Sequence, residues 1–535
     1  MGGRARTPTR HRPGGAAQGF RDHPYINPSR GPSSGPDRRI IPRLKTYRYG
    51  ASHSGQHTMT AARPSLIGPI LILDNIENGR LTLSALFIVE GKERPPDVKT
   101  SEAMHAPEIL AQFDSATVWR VRFNLPSDRP SEYRWNGEIY PVAGDLRGDL
   151  RIAFVSCNGE EIGDLEREGS ERNAMWARLC KAHQEEPFAL LLHGGDQVYA
   201  DEVTQGHPLS EDWPSHVPEN PSQADQANLH HHLHQKFFDR YAELYSAPEF
   251  AWIAARVPSL MQWDDHDICD GWGSLRRWQT HSAVGQTLFN TARENFLIFQ
   301  QAAVQGDLPA RFNDPAGHHL GWVVRGPGLR ILAPDLRSER TRKGVMGIGG
   351  WSMMESEAAK RETGRTLLMS SVPLLGPRLS ILEALMVVIP RMQKYEDDLR
   401  DQWQSRGHRV EWVRMLRLVR DMARAVGQNI TVVSGEIHLA TRAVMDLGEG
   451  LRIDQLVASG IAHRAPPRAW ARFLGSLAQL GEAPLSQNPI RIRPLPGQHG
   501  CYVAQRNYLV LERRLDTWLA NWELEDSGLT PPLRL

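Results

Sequence analysis

The chain has 535 residues, with 63 basic against 62 acidic side chains. A formal charge of +1 gives no global reason to expect a polyanionic partner, so no specific nucleic-acid partner is expected. Cys157, Cys180, Cys269 and Cys501 lack CxxC spacing, which excludes a disulfide-stapled scaffold, and the length admits two or three domains.

Residues 1–64 carry eleven arginines among Gly, Pro and Ser and almost no apolar run, the composition of a disordered basic tail. Arg38-Arg39 resembles a twin-arginine start, but no apolar segment follows, and a cytoplasmic location is expected on that ground. Met59 offers an alternative start directly before the organised part. From 65 to 149 the pattern is β: Pro69–Leu73, Leu81–Val89, Thr117–Phe123 and Tyr133–Tyr140, separated by Gly, Pro, Asp and Asn. It predicts an N-terminal β-sandwich domain.

At Arg151 the grammar changes to alternating strand and helix, predicting an α/β domain over 150–525. Predicted strands are Arg151–Val155, Phe188–Leu192, Val257–Trp263, Leu329–Ala333, Ile430–Val433, Asp454–Ala458 and Cys501–Glu512. Predicted helices are Glu171–His183, Leu229–Tyr245, Leu288–Ala303 and Trp412–Val426. His230, His231, His232 and His234 point in different directions around one helix and read as a solvated face. The inserts Thr204–Ala227 and Gly344–Trp351 are candidate roofs of a site. The most apolar stretch, Leu367–Pro390, is broken by Gly376, Pro377, Arg378 and Glu383, short of the roughly 20 apolar residues a membrane span needs. The Pro-rich end, Asp526–Leu535, is expected to fray.

Five predicted strands end in ligand-type side chains: Cys157; Asp196 with Tyr199; Asp264, Asp265 and His266; Asp335 with Arg337; and Glu436 with His438. Ligands in open α/β sheets sit beyond the carboxyl ends of strands. Thiolate, phenolate, carboxylates and imidazoles converging there suit a two-metal site, and an arginine at the same edge suits a phosphate. Taken singly, each has an ordinary rival: Cys157 as a small core residue, Asp265 as a cap, Arg337 in a structural salt bridge.

As an ordered set, Ser156-Cys157-Asn158, Gly195-Asp196-Gln-Val-Tyr199, Asp264-Asp265-His266-Asp267, Asp335-Leu-Arg337 and Ser434-Gly-Glu436-Ile-His438 resemble the alkaline phosphatase D (PhoD-like) family of metallophosphoesterases. The resemblance implies a four-layer αββα sandwich preceded by an N-terminal β domain. It implies two metal ions, Fe3+ plus Ca2+ or another divalent ion, held by Cys157, Asp196, Tyr199, Asp265, Glu436 and His438. Asp196 would bridge, and His266 and Arg337 would be catalytic. Ser-Cys-Asn in place of Asp-x-His points to this branch, whereas Glu436 stands where the family has Asp. The expected activity is hydrolysis of a phosphate ester, monoester or diester; the alternative is a binding or scaffold protein that keeps the fold without turnover.

Overall fold

The computed structural model describes residues 63–377, 401–479 and 481–535. The basic tail through 62 and the second half of the apolar stretch, 378–390, therefore lie outside the described residues. Among those described, no helix is long and apolar enough to cross a membrane.

Two sheets dominate. The first, 11-stranded, runs Thr517–Leu524, Asn507–Arg514, Leu150–Val155, Leu190–His193, Ser259–Met261, Leu66–Glu77, Arg80–Glu90, Ala116–Pro126 across its centre. The second, 9-stranded, has at its centre Leu329–Ala333, Arg365–Met369, Ile430–Ser434 and Leu451–Val457, parallel to one another. Alternate residues of a strand face opposite sides, so each strand of the second sheet serves two cores. Ile331, Leu367, Met369, Val433 and Leu456 join the core shared with the first sheet, while Leu332, Leu368, Val432 and Ile453 join a second core under the helices Ile348–Ala359 and Arg409–Val426. Helices Ala174–Glu185, Gln223–Ser246 and Ala283–Gln301 cover the outer face of the first sheet. The result is the four-layer αββα order expected from the sequence.

The change of grammar near residue 150 is not a seam in the first sheet. Leu66–Glu77 pairs in parallel with Ser259–Met261, with Ile72 opposite Ser259, so the long N-terminal strands continue the same sheet. A separate four-stranded sheet holds Val98–Lys99, Met104–His105, Ser131–Trp135 and Glu138–Val142. The run read as one strand, Tyr133–Tyr140, is a hairpin: Asn136 and Gly137 adopt φ of 48° and 82°, the left-handed pair a tight hairpin turn requires.

The C-terminal end is not frayed. Leu533–Arg534 pairs with Thr517–Leu524, and the Leu535 amide donates to the Trp518 carbonyl, so the fold extends past 525. The four histidines of Gln223–Ser246 do not converge on one point: His230 meets Glu294 and stacks on His234, His231 meets Asp114, His232 meets the Gln205 carbonyl and His234 also stacks on Phe113.

Candidate metal centre

The carboxyl ends of the parallel strands of both sheets meet at one place. Two glycines allow it. Gly195 sits at φ 113°, and a Cβ there would come within 2.6 Å of Asp264 Cβ; a Cβ on Gly435 would strike the Ser156 side chain from the facing sheet. Beyond three of these strands, Leu150–Val155, Leu190–His193 and Ile430–Ser434, the chain turns through the left-handed region at residues that are not glycine: Cys157 (φ 55°), Asp196 (53°), Glu436 (70°) and His438 (53°). Non-glycine residues held there cost of order 1–3 kcal/mol each and cluster at functional sites. Four of the predicted ligands carry this strain.

Among the described residues, three groups of side chains lie close enough to share an ion: Cys157 with Asp196 and His438; Asp196 with Asp264 and Asp265; and Asp265 with His266 and Asp270. Asp196 belongs to two of them. Its Oδ2 is 3.5 Å from Cys157 Sγ, while its Oδ1 is buried without a hydrogen-bond partner. Tyr199 joins the first group, its hydroxyl 3.1 Å from His438 Nε2. Ser459 ties the group together, bonding Cys157 Sγ at 3.1 Å and accepting from the His438 amide at 2.8 Å.

Burial, and then the charge of Asp264, push the Asp196 carboxyl well above the usual carboxylate range. Burial and the adjacent Asp196 raise the Cys157 thiol, and burial and Cys157 raise the Tyr199 phenol. Burial and the neighbouring His463 hold the His438 imidazole well below its ordinary value, in the neutral form that ligates metals. A buried set of acids that repel one another's charged forms is the environment a cation reverses. The orphaned Asp196 oxygen and the thiol, phenol, carboxyl and imidazole donors fit a metal pair.

His266 Nδ1 lies 3.0 Å from Asp201, and its ring stacks on Tyr199 with centroids 4.3 Å apart. Burial disfavours its charged form, but Asp201 and Asp265 outweigh burial and raise its pKa well above the ordinary value.

Two predicted residues sit differently. Glu436 belongs to none of the three groups; Gln402 Nε2 donates to both its oxygens, and burial with the charge of Asp401 raises its pKa. Arg337, expected either at a phosphate or in a structural salt bridge, lies among carboxylates. It is fully buried and paired with Asp264, Asp265 (3.3 Å) and Asp401 (2.6 Å), and its NH1 donates to the Trp272 carbonyl. Arg340 is likewise paired with Asp401 at 2.9 Å. The salt-bridge reading of Arg337 is the one this geometry matches.

Residues the sequence reading passed over complete the site. Asp267 accepts from the amides of Asp196, Gln197, Val198 and Asp264 and from Gln300 Nε2, fixing the turn that carries Asp196. His463 stacks on His438 with centroids 3.4 Å apart. Asp201 stands two residues after Tyr199, and His463 shortly follows the strand Leu451–Val457, so the strand-end rule had the means to find both. Asp401 and Gln402 closely follow no strand among the described residues, and the sequence reading attached no signal to them.

The groups open into a cavity of about 510 Å³, lined by Asp196, Asp265, His266, Glu436 and His438 among others. Neither insert expected as a roof contributes to its described lining; the loop Pro373–Pro377 and the segment around His463–Leu474 do.

Residues 142–396 match the family described as PhoD related phosphatase. A protein of Saccharomyces cerevisiae, "Uncharacterized protein YGR266W", is 24% identical over 570 residues, covering 83% of this chain and 80% of that one. The fold is similar to that of PhoD (TM-score 0.55, 11% identity, 88% of each chain). It is also similar to purple acid phosphatase PPD1 of yellow lupin, Lupinus luteus (TM-score 0.50, 10% identity, 87% of this chain and 73% of that one). Residues 142–396 are thus similar to the PhoD related phosphatases, and the fold of the chain is like those of PhoD and of a purple acid phosphatase.

Proposed function

We propose that the protein hydrolyses phosphate esters at a two-metal centre organised around Asp196. The observation that carries this reading is Asp196 itself: buried, held in a left-handed turn, shared by two candidate ligand groups and left with one unpartnered oxygen. Cys157, Tyr199 and His438 would hold one ion on one side of it, and Asp264 with Asp265 the other. A phenolate and thiolate beside imidazole and carboxylate suit ferric iron, and the all-oxygen side suits calcium or another hard divalent ion. When bound, such a pair supplies an activated water and a clamp on the phosphoryl oxygens.

The chain's own residues do the rest. Asp201 orients His266 through Nδ1, so that Nε2–H can donate to the departing alkoxide. Asp267 keeps the turn bearing Asp196 in register. Arg337 holds Asp264 and Asp265 in place and so acts through them rather than on the substrate.

The test is turnover of a chromogenic phosphate ester by protein purified without chelator, with elemental analysis of the same sample. Metal-dependent hydrolysis and a visible charge-transfer band from Tyr199 and Cys157 are expected. Bound metal without turnover on monoesters or diesters would favour the scaffold alternative; colourless, active, iron-free protein would overturn the iron assignment alone.

A further inference from the structure

The cavity has two unlike walls. One carries the ligand groups and His266. The other is apolar and is built by Leu375, Ile437, Pro467, Trp470, Leu474 and Tyr502. Trp470 and Leu474 are four residues apart on the helix Arg468–Ala478, hence on one face. That helix buries Ala471, Leu474 and Ala478 against Leu439 and Tyr502, with Ile437 and Trp470 packed alongside, in a small core separate from the two large ones. Arg468, on the outward face, pairs with Asp526 at 2.8 Å. One side of this small core is the cavity wall itself.

Charge narrows the choice of ligand. Among the described lining residues Arg464 is the one arginine and there is no lysine, whereas Glu161, Asp196, Asp265, Asp270, Asp401 and Glu436 are acidic. Arg464 is held by Glu160 and Glu171, each at 3.0 Å. With Asp196 and Asp265 given to the metal pair, Glu161, Asp270, Asp401 and Glu436 still outnumber that one paired arginine, so the described lining favours an uncharged group over a second phosphate, and the apolar wall offers that group contact. A cavity of about 510 Å³ falls within the roughly 300–1,000 Å³ of sites that bury drug-sized ligands, which leaves room for that group beyond one phosphoryl.

Building on the phosphoesterase reading, we infer that the substrate is the phosphate ester of an apolar alcohol, its aromatic or alkyl group seated against Trp470, Leu474 and Tyr502. The metal-loaded full-length protein is given 2-phenylethyl phosphate and glycerol 3-phosphate, both esters of primary alcohols, so that leaving-group chemistry is similar. The kcat/KM ratio should favour the phenylethyl ester by about 10- to 100-fold, the worth of burying one aromatic group. In Trp470→Ala and in Leu474→Ala the ratio should fall towards one, chiefly through KM; should either variant fail to fold, the other decides. A wild-type ratio near one, or a ratio unchanged in the folded variants, overturns the inference. Turnover of neither ester would instead count against hydrolysis. Binding then decides the apolar wall by itself: 2-phenylethylphosphonate should bind more tightly than ethylphosphonate by a similar factor, and equal affinities overturn it.

Discussion

Two clusters of buried charge adjoin the cavity, and they are built in opposite ways. Around Asp196, acids, a thiol and a phenol raise one another's pKa, an oxygen has no partner, and the backbone is strained. Around Arg337, two guanidinium groups meet Asp264, Asp265 and Asp401 in close ion pairs. Both are rich in Asp, and no property of an isolated residue separates them. What separates them is the degree of compensation: among the described residues no guanidinium is paired with the first set, whereas two offset the second, and there Asp264 still keeps one oxygen without a hydrogen-bond partner, open to the second ion. A site that awaits a cation is recognised by what its own neighbours leave unsatisfied.

The comparison predicts that the clusters break differently. Asp196→Asn keeps the shape but removes a charge shared by two candidate ion sites. Turnover should fall by several orders of magnitude and metal content should drop, while circular dichroism stays native. Near-native activity with full metal content would make Asp196 a loop residue and end the two-metal reading.

Arg337→Met should act first on stability. Removing one partner of a buried ion pair costs about 3–5 kcal/mol, because the remaining charges lose their counter-ion. Asp264, Asp265 and Asp401 would be left together. Urea unfolding measures this. A variant as stable as wild type yet unable to turn over would return Arg337 to the catalytic role expected from sequence.

Asp267→Asn probes the support beneath the first cluster. The carboxylate serves four backbone amides and Gln300, and burial raises its pKa to about 7 despite those donors. Loss of such a support typically weakens metal affinity by about 10- to 100-fold. Metal titration monitored by the visible band should show the shift, and an unchanged affinity would confine Asp267 to folding.

These contrasts also show what the sequence could and could not reveal. Short apolar runs ending in Cys157, Asp196, Asp264–His266 and Glu436–His438 were legible because strand periodicity and ligand chemistry are both local. Arg337 was left between a phosphate contact and a structural salt bridge, because a motif gives residue type and order, whereas its pairing with Asp401 is distant in sequence. The N-terminal β segment was legible as strands but not as part of the larger sheet, since the pairing of Ile72 with Ser259 spans much of the chain. The strand Arg365–Met369 was hidden inside a longer apolar stretch, and the helix Arg468–Ala478, which forms the apolar wall, was not anticipated although Trp470 and Leu474 share one face.

The smallest effect lies outside both clusters, in the helix Ala174–Glu185. His183 is buried, accepts from the Phe188 amide through Nδ1, and packs edge-on against Trp252. Burial, with Arg256 and Arg151 nearby, lowers its pKa to about 4. In the unfolded chain an unperturbed imidazole titrates near about 6.5. Between those values the unfolded state binds the extra proton, so stability falls as pH drops from about 6.5 to about 4 and is unaffected by this group above that window. His193, also lowered to about 4 by burial, acts in the same direction. His183→Asn retains an acceptor for Phe188 but cannot titrate. It should remove up to one proton from the slope, about 1.4 kcal/mol per pH unit at most, in urea midpoints measured across the window. An unchanged slope would mean that His183 is protonated in the folded protein, and the helix would then have to open to water at a position the structure shows closed.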